Sequence, residues 1–301
     1  MKLETEKLII NVPIVKLSNI GDNEVYVLLE KFNICGSIKV KTVYRILKQA
    51  IQEGKLKQGN TILEASSGNT AIALAYLGKC FGFPVKIVLP RSTAPCKIRL
   101  IESYGAEIVK VKGITDDCIT VRDEIYKENP SKYFLPDQFS NYSNIDAHYN
   151  LTGPYIYDNI NNLDFCVIGL GTSGTIIGTG KYLKEKNPNI KIIGINPIEK
   201  VEGLRNFKTT KMKIPFYEEY KDLIDEIIDV DFDNDSVEGI KYMLEEGYFV
   251  GISSGAIFSG LVKYLQGKSG LKGLFIAPDG GDFYIERIMK LLDNDNFCGC
   301  K

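Results

Sequence analysis

From about residue 60 onward, short apolar runs alternate along the chain with longer segments of helical periodicity. The apolar runs predict the strands Thr61–Ala65, Val85–Leu89, Glu107–Val111, Phe165–Gly169, Lys191–Ile195 and Leu274–Ala277. The periodic segments predict helices at residues 70–81, 91–104, 174–187, 235–246 and 254–266. Strands that alternate with helices are typical of βα units on a mainly parallel sheet, and they form two series here.

A further strand and helix precede these two series. Val25–Glu30 is predicted as a strand, and residues 40–52 as a helix that Gly54 ends. Pro130–Ser143 is expected to be a loop that joins the two series. Residues 198–222 are charged and lack a clean period, so we expect a surface excursion on the second unit. The pattern therefore predicts two α/β units.

Composition limits the classes of function. The 301 residues are 44% apolar and 25% charged, as in ordinary globular proteins, which argues against disorder and fibres. A net charge of -1 without a basic block argues against nucleic acid and favours small-molecule partners. No apolar run approaches the roughly 18 residues of a membrane span, and the acidic, short N-terminal stretch is unlike a signal peptide. We therefore expect a cytoplasmic protein without a membrane partner.

The cysteines and the histidine narrow the possible chemistry further. Seven cysteines lack paired C-x-x-C spacing, which argues against a disulfide framework or a zinc ribbon and favours reduced thiols. Cys298 and Cys300 could form a metal or redox pair, although a solvated tail explains them better. With one histidine, His148, the chain cannot build a multi-histidine metal site. We expect no metal.

The first candidate segment is Gly171-Thr-Ser-Gly-Thr175, which follows an apolar strand and opens a helix. Free backbone amides, the helix dipole and closely approachable glycines suit a phosphate at such a turn. No lysine of a P-loop follows, and no acidic ribose partner lies about twenty residues on, so a phosphate monoester is favoured. A tight turn selected for packing is the alternative.

The second candidate segment, Glu64–Ala71, joins a strand to a helix N-terminus. It carries the hydroxyls of Ser66, Ser67 and Thr70 and the amide of Asn69. Such a group of donors suits a carboxylate ligand. Simple helix capping, for which these residue types are preferred, explains the segment at least as well.

The third candidate segment is Asn33–Lys39, in which Lys39 falls on the first turn of a helix and Ser37 is a plausible cap. The positive potential of a helix N-terminus disfavours protonation of a lysine and leaves a nucleophilic amine. Taken alone, however, Lys39 is better explained as a solvated surface lysine.

Together and in this order, the three segments resemble the cysteine synthase group of fold type II pyridoxal phosphate enzymes, which includes O-acetylserine sulfhydrylase and cystathionine β-synthase. Further matches are Asn11–Leu17, Ser103–Val109, Gln138-Phe139, His148 with Thr152–Pro154, Gly251–Ala256 and Pro278–Asp282. The resemblance implies the tryptophan synthase β-like fold, with two three-layer α/β domains and the cofactor in the cleft between them.

The resemblance also implies how the chain is divided and assembled. Residues 38–145 would form a smaller mobile domain that binds the substrate carboxylate. Residues 1–37 and 146–301 would form the larger domain that binds the cofactor phosphate. Members of the group usually form homodimers, so a homodimer is expected.

The resemblance assigns roles by position. Lys39 would form the internal aldimine with pyridoxal 5′-phosphate, and Asn69 would bond the cofactor's 3′-oxygen. The phosphate would be held by Gly171, Thr172, Ser173, Gly174 and Thr175. The substrate α-carboxylate would be held by Ser66, Ser67, Asn69, Thr70 and Gln138. His148 is expected to be structural.

Three departures from the group's pattern bear on the substrate. Val40-Lys41 replaces the usual Asp-Arg, so an ion pair beside the cofactor is missing or replaced. Gly280 stands where relatives place a Ser or Thr facing the pyridine nitrogen, so water or Asp279 must take over that contact. The glycine-rich, histidine-containing entrance segment of sulfhydrylases has no counterpart in Val201–Phe207.

The resemblance implies β-replacement or β-elimination on a 3-substituted L-alanine through an α-aminoacrylate, with Lys39 moving the α-proton. The favoured reaction joins O-acetylserine and sulfide to give cysteine. The alternative consumes cysteine, releases hydrogen sulfide and yields serine, a thioether or pyruvate. Two hypotheses from other classes remain: a Rossmann-type nucleotide binder, and a catalytically silent regulatory homologue that binds the cofactor.

Overall fold

Ten strands in two sheets organise the part of the chain that this computed structural model describes. That part comprises residues 9, 12–199, 201–210, 213–231 and 235–294. Cys298 and Cys300 lie outside it. Among the described helices, none combines the length and the apolar character that a bilayer crossing requires.

The larger sheet contains six strands. They are β1 (Ile14–Lys16), β2 (Glu24–Leu29), β7 (Phe165–Gly169), β8 (Lys191–Pro197), β9 (Glu226–Val230) and β10 (Lys272–Ala277). Their order across the sheet is β1-β2-β10-β7-β8-β9. β1 pairs antiparallel with β2, and the other neighbours are parallel.

The smaller sheet contains four parallel strands. They are β3 (Thr61–Ala65), β4 (Val85–Pro90), β5 (Glu107–Val111) and β6 (Tyr133–Phe134). Their order is β5-β4-β3-β6. β6 lies inside the stretch 130–143 that was expected to be a loop, and its two residues extend the sheet by one short edge strand.

Helices lie on both faces of each sheet. They are α1 (Lys39–Gln52), α2 (Asn69–Phe81), α3 (Pro95–Ser103), α4 (Thr115–Glu128), α5 (Ser143–Ala147), α6 (Gly153–Asn159), α7 (Gly174–Lys186), α8 (Pro215–Tyr220), α9 (Asp235–Glu245), α10 (Ile252–Leu265) and α11 (Ile285–Asn294). One turn of π-helix, His148–Thr152, connects α5 to α6.

The alternation along β7 shows how the layers pack. Phe165 and Val167 point into a core shared with α10, whereas Cys166 and Ile168 point into a core shared with α7. All four are buried. A parallel strand covered on both faces is apolar throughout, which is why its sequence is an unbroken apolar run. The predicted fold class, with two three-layer α/β units, is confirmed.

Residues 198–222, expected as a surface excursion on the second unit, lie mostly at the surface but also contribute to the core. Their described part contains α8, whose Phe216 is fully buried. Phe216 packs with Ile176 and Ile177 of α7 in the core of the larger sheet. The sequence pattern did not indicate that Phe216 is buried, because nearby residues are charged and a single aromatic residue produces no hydrophobic period.

Candidate functional site

Lys39 is the first residue of α1 and lines a cleft at the carboxyl end of the larger sheet, where parallel α/β sheets bind ligands. The backbone amide of Ile38 donates to the carbonyl of Pro278 at 2.9 Å, which ties the start of α1 to the end of β10. Burial lowers the pKa of the Lys39 amine, and the negative charge of Asp279 opposes part of that shift. Lys39 is therefore not a solvated surface lysine.

Ser37 does not cap α1, contrary to the sequence expectation. Ile38 occupies the N-cap position with helical dihedral angles, so Ser37 lies one residue too early for its hydroxyl to reach the free amides. Within the described residues the buried Ser37 hydroxyl has no hydrogen-bond partner. The helix begins instead with backbone bonds from Val40 to Ser37 and from Lys41 to Ile38.

The Gly171–Thr175 turn lines the same cleft as Lys39, through Gly171, Thr172, Ser173 and Thr175. The turn leaves β7 and opens α7 at Gly174. Ser173 has a φ of 69° in the left-handed region, which non-glycine residues rarely adopt. Its hydroxyl is buried and has no hydrogen-bond partner among the described residues. Such a polar group fits a ligand in the cleft.

A glycine is needed at position 174 because the side chain of Asn144 packs directly against it. A Cβ at this position would lie 2.3 Å from the side chain of Asn144. The Gly174 amide donates to the Thr172 hydroxyl at 3.3 Å. Four of the five turn residues thus face the cleft, and Gly174 holds the turn against α5.

The donors of the second segment lie near each other around the start of α2. Thr70 donates to the side-chain oxygen of Gln138 at 2.9 Å, and both side chains are buried. Ser66 is also buried, and Ser67 is partly exposed. No side chain in the described part of the structure caps α2 at its N-cap residue, Gly68. The capping alternative therefore fails to explain these residues.

Asp279 lies fully buried beyond the end of β10. Its carboxylate accepts hydrogen bonds from Asn69 Nδ2 at 2.7 Å, from the Tyr284 hydroxyl at 2.9 Å and from Ser253 at 3.4 Å. Burial raises the pKa of Asp279, although these bonds favour its charged form. The other polar atom of Asn69, Oδ1, is buried without a partner among the described residues.

Gly280 follows Asp279 and forms an isolated bridge with Val250. A Cβ at Gly280 would lie 2.4 Å from the carboxylate of Asp282, whose side chain is mostly exposed and can move. A serine here would require Asp282 to shift, and its Cβ would also lie 3.2 Å from the side chain of Lys31. Tyr284 and Ser253 were not identified from the sequence, although Ser253 falls within the Gly251–Ala256 match.

A buried ion pair stands where the sequence departs from its relatives after Lys39. Lys41 Nζ lies 2.5 Å from Glu30 Oε1, and neither side chain has any exposed surface. Asn33 donates to the other oxygen of Glu30. An ion pair two residues after Lys39 is thus present, with Glu30 as a partner that the sequence analysis did not find.

Thr42, Asn144 and His148 form a further polar group that the sequence analysis did not place near the site. His148 Nε2 lies 3.1 Å from the Thr42 hydroxyl and 3.2 Å from the Thr175 hydroxyl. Burial lowers the pKa of His148 well below its usual value, and the positive charges of Lys41 and Lys39 add to this. His148 has no exposed surface, and it contacts the turn through the Thr175 hydroxyl.

The arrangement defines what the cleft can bind. A lysine with a lowered pKa can attack a carbonyl carbon, and the nearby turn presents amides and hydroxyls that suit an anion. A ligand with both a carbonyl and a phosphate would satisfy both features.

Comparison with known proteins agrees with this chemistry. The sequence model of one protein family, described as "Pyridoxal-phosphate dependent enzyme", matches residues 5–276. Cysteine synthase from Aquifex aeolicus (strain VF5) is 32% identical to this chain over 295 residues, which cover 93% of this chain and 89% of the relative.

Two solved structures have nearly the same fold. A hydrogen sulfide-producing enzyme from Fusobacterium nucleatum superimposes with a TM-score of 0.87 at 33% identity, covering 94% of this chain and 98% of that one. Cysteine synthase from Entamoeba histolytica superimposes with a TM-score of 0.86 at 29% identity, covering 98% of this chain and 95% of that one.

Proposed function

Because the chain belongs to the family of pyridoxal-phosphate-dependent enzymes, we propose that it catalyses β-replacement on a 3-substituted L-alanine, most directly the conversion of O-acetylserine and sulfide to cysteine and acetate. The observation that carries this proposal is the shared cleft of Lys39 and the Gly171–Thr175 turn. Similarity to cysteine synthases supports the choice of reaction.

The residues around the cleft fit pyridoxal 5′-phosphate. The partnerless Ser173 hydroxyl and the amides of its turn suit the phosphate, and the partnerless Oδ1 of Asn69 suits a polar group on the ring. The Lys39 amine, with its lowered pKa, suits the aldehyde. For the ring nitrogen, Asp279 with Gly280 is the candidate contact.

Lys39 would hold the cofactor covalently and would then remove and return the proton at the substrate's α-carbon. When bound, pyridoxal phosphate supplies an electron sink for the charge that develops at this carbon. Because its pKa is lowered, the Lys39 amine is neutral over more of the pH range and is available as a base.

The substrate α-carboxylate would be bound by Ser66, Ser67, Asn69, Thr70 and Gln138. The buried contact between Thr70 and Gln138 supports this assignment, because it places donors from α2 and from the 136–142 loop together. Residues 38–145 would form the smaller domain that closes over the substrate. The homodimer that the family resemblance implies and the cytoplasmic location expected from the sequence belong to the same proposal.

A second candidate reaction consumes cysteine and releases hydrogen sulfide. The similarity to a hydrogen sulfide-producing enzyme favours it. Cysteine and water would give serine and hydrogen sulfide, cysteine and a second thiol would give a thioether and hydrogen sulfide, and elimination of hydrogen sulfide followed by hydrolysis would give pyruvate and ammonia. The same lysine would move the α-proton in each case.

The two reactions are separated by steady-state kinetics on the full-length, cofactor-loaded enzyme. One assay supplies O-acetylserine with sulfide and measures cysteine, and the other supplies cysteine alone and measures hydrogen sulfide. We expect a higher kcat/KM in the first assay. A higher value in the second would assign the sulfide-releasing function instead, and inactivity in both would contradict the proposal.

We predict that Lys39 carries the cofactor. Borohydride reduction followed by peptide mapping should find the pyridoxyl group on Lys39, and Lys39→Ala should abolish both reactions, because the covalent anchor and the base are lost together. Lys41 is the matched lysine, two residues away and paired with Glu30. A pyridoxyl group on Lys41 would show that the anchor is misassigned.

A further inference from the structure

Four polar side chains with no assigned role form one buried group behind the Gly171–Thr175 turn. They are Thr42, Asn144, His148 and Thr152, and each is at most 1% exposed. Their hydrogen bonds reach two hydroxyls of the turn, those of Thr172 and Thr175.

We propose that Thr42, Asn144 and His148 are positioning residues, which orient the hydroxyls of Thr172 and Thr175 as hydrogen-bond donors toward the cofactor's phosphate. This inference rests on the proposed function, because it assumes that the turn binds that phosphate. The directions of the hydrogen bonds in the group follow from how many hydrogen atoms each side chain carries.

The donor and acceptor atoms of Asn144 can be assigned first. One of its side-chain atoms lies 2.8 Å from the backbone carbonyl of Gln138. A carbonyl can only accept, so this atom is the amide nitrogen Nδ2. The oxygen Oδ1 of Asn144 then faces the Thr42 hydroxyl at 3.0 Å. Because an amide oxygen carries no hydrogen, Thr42 must donate to it.

The tautomer of His148 follows from Thr42. Thr42 has used its single hydroxyl hydrogen, so it can only accept from His148 Nε2, which lies 3.1 Å away. The hydrogen of the ring is therefore on Nε2. The neutral ring carries no second hydrogen, so Nδ1 accepts from the hydroxyl of Thr152 at 3.0 Å.

Both turn hydroxyls are thereby left with a free hydrogen. Thr175 lies 3.2 Å from Nε2, and because that nitrogen carries the hydrogen it has no lone pair to accept one, so Thr175 does not donate there and at most shares the N–H with Thr42. Thr172 accepts from Asn144 Nδ2 at 2.9 Å and from the Gly174 amide at 3.3 Å, which occupies both of its lone pairs. Thr172 and Thr175 both line the cleft, and each has a hydrogen to donate to an anion.

The same bonds join the separate parts of the site. Thr42 lies on α1 three residues after Lys39, so the lysine helix is linked through Asn144 to the phosphate turn. Asn144 also bonds the backbone of Gln138, which belongs to the proposed carboxylate site. Of these three parts, only the turn is offered as a phosphate site, so the proposed effect is on phosphate binding.

The test compares ligands with and without a phosphate. Full-length protein from which the cofactor has been removed is titrated with pyridoxal 5′-phosphate and, separately, with pyridoxal. In Thr42→Val and His148→Leu, we expect the dissociation constant for pyridoxal 5′-phosphate to rise about tenfold, equivalent to about 1.4 kcal/mol. The dissociation constant for pyridoxal should not change, because pyridoxal does not use the turn.

Two further variants make the test specific. Thr179→Val is the matched control, because Thr179 is fully buried on α7 and its hydroxyl has no partner among the described residues. It should bind both ligands as the unaltered protein does. His148→Gln keeps a side-chain N–H donor in the same region, so it should restore most of the preference for the phosphate that His148→Leu loses.

Two results would overturn the inference. Thr42→Val and His148→Leu could both bind pyridoxal 5′-phosphate as tightly as the unaltered protein, or they could weaken both ligands equally, as general damage would. If the unaltered protein fails to bind pyridoxal 5′-phosphate, the proposed function fails, and the inference fails with it. If the unaltered protein binds pyridoxal 5′-phosphate but is inactive in both the cysteine and the hydrogen sulfide assays, only the proposed reaction is contradicted.

Discussion

At the scale of single residues, His148 shows how burial changes the chemistry of a side chain. It is the one histidine of the chain, it has no exposed surface, and threonine hydroxyls face both of its ring nitrogens. Burial, with the nearby positive charges of Lys41 and Lys39, lowers its pKa well below the usual value of 6.5. The folded protein therefore holds this ring neutral at pH values where an unfolded chain would protonate it.

We predict that this difference makes the protein less stable in mild acid. The unfolded chain binds a proton at His148 near pH 6.5 and the folded chain does not, so the stability contribution is complete above that pH. It declines by about 1.4 kcal/mol per pH unit below it, until the folded pKa is reached.

Urea unfolding of the unaltered protein and of His148→Gln between pH 5 and pH 8 measures this contribution. The difference between the two free energies of unfolding should change in slope near pH 6.5, the unfolded pKa. An identical pH dependence in both proteins would show that His148 is not responsible.

At the scale of elements, α1 is fixed at its start by the buried pair of Lys41 and Glu30. We predict that Lys41→Met lowers the free energy of unfolding by about 3–5 kcal/mol, because the Glu30 carboxylate stays buried without its partner. The double variant Glu30→Gln with Lys41→Met removes both charges and should recover most of this loss. Chemical unfolding measures both values.

The matched control for this pair is Lys16→Met. Lys16 lies 3.0 Å from Glu24 on the surface, where its side chain is 48% exposed. Its loss should cost less than about 1 kcal/mol. If Lys16→Met and Lys41→Met cost the same, burial is not what makes the inner pair important.

The elements also show what the sequence could predict. The bounds of β3 and β7 agree with the predicted strands, because each is a mostly apolar, buried run with a clear boundary. The helix α4 was missed, because Cys118 is its one fully buried residue and a mostly exposed helix carries no apolar period. Local pattern therefore predicts buried elements best.

The site follows a similar division. The Gly171–Thr175 turn was predicted from its local pattern, whereas Lys39 was assigned through the family resemblance, because its local signal alone favoured a surface lysine. The contact of Thr42 with His148 joins residues 106 positions apart and has no local signal. Neither does the pairing of Asp279 with Asn69, which are 210 positions apart. Such long-range contacts depend on the tertiary arrangement of the helices and sheets, which a short sequence pattern does not predict.

At the scale of the whole molecule, Glu202 links the two sheet units. Its carboxylate lies 3.4 Å from Lys97 Nζ on α3, beside the smaller sheet, and 3.2 Å from Arg287 on α11. The Lys97 side chain is 7% exposed, and its ammonium also lies 4.2 Å from the ring centre of Tyr284. The Lys97 ammonium thus contacts Glu202 and Tyr284, which are both far from Lys97 in the sequence.

We predict that Glu202→Gln lowers the free energy of unfolding by about 1–2 kcal/mol, because a mostly buried ammonium loses its carboxylate partner. The control is Glu107→Gln, which breaks a 2.8 Å pair with Lys86 inside the smaller sheet, where Glu107 is 64% exposed. That change should cost under about 1 kcal/mol. Equal urea midpoints for the two variants would show that Glu202 does not join the units.

The position of β10 dictates an order of events during synthesis on the ribosome. β10 lies between β2 and β7, so the larger sheet cannot be completed until residue 277 has been translated and released from the exit tunnel. The smaller sheet uses strands from residues 61–134 and can form much earlier. Until β10 arrives, β2 and β7 each carry an open edge that a neighbouring nascent chain could pair with. Pro278 lines the cleft together with Lys39, so this part of the cleft also forms only after residue 278 has left the exit tunnel.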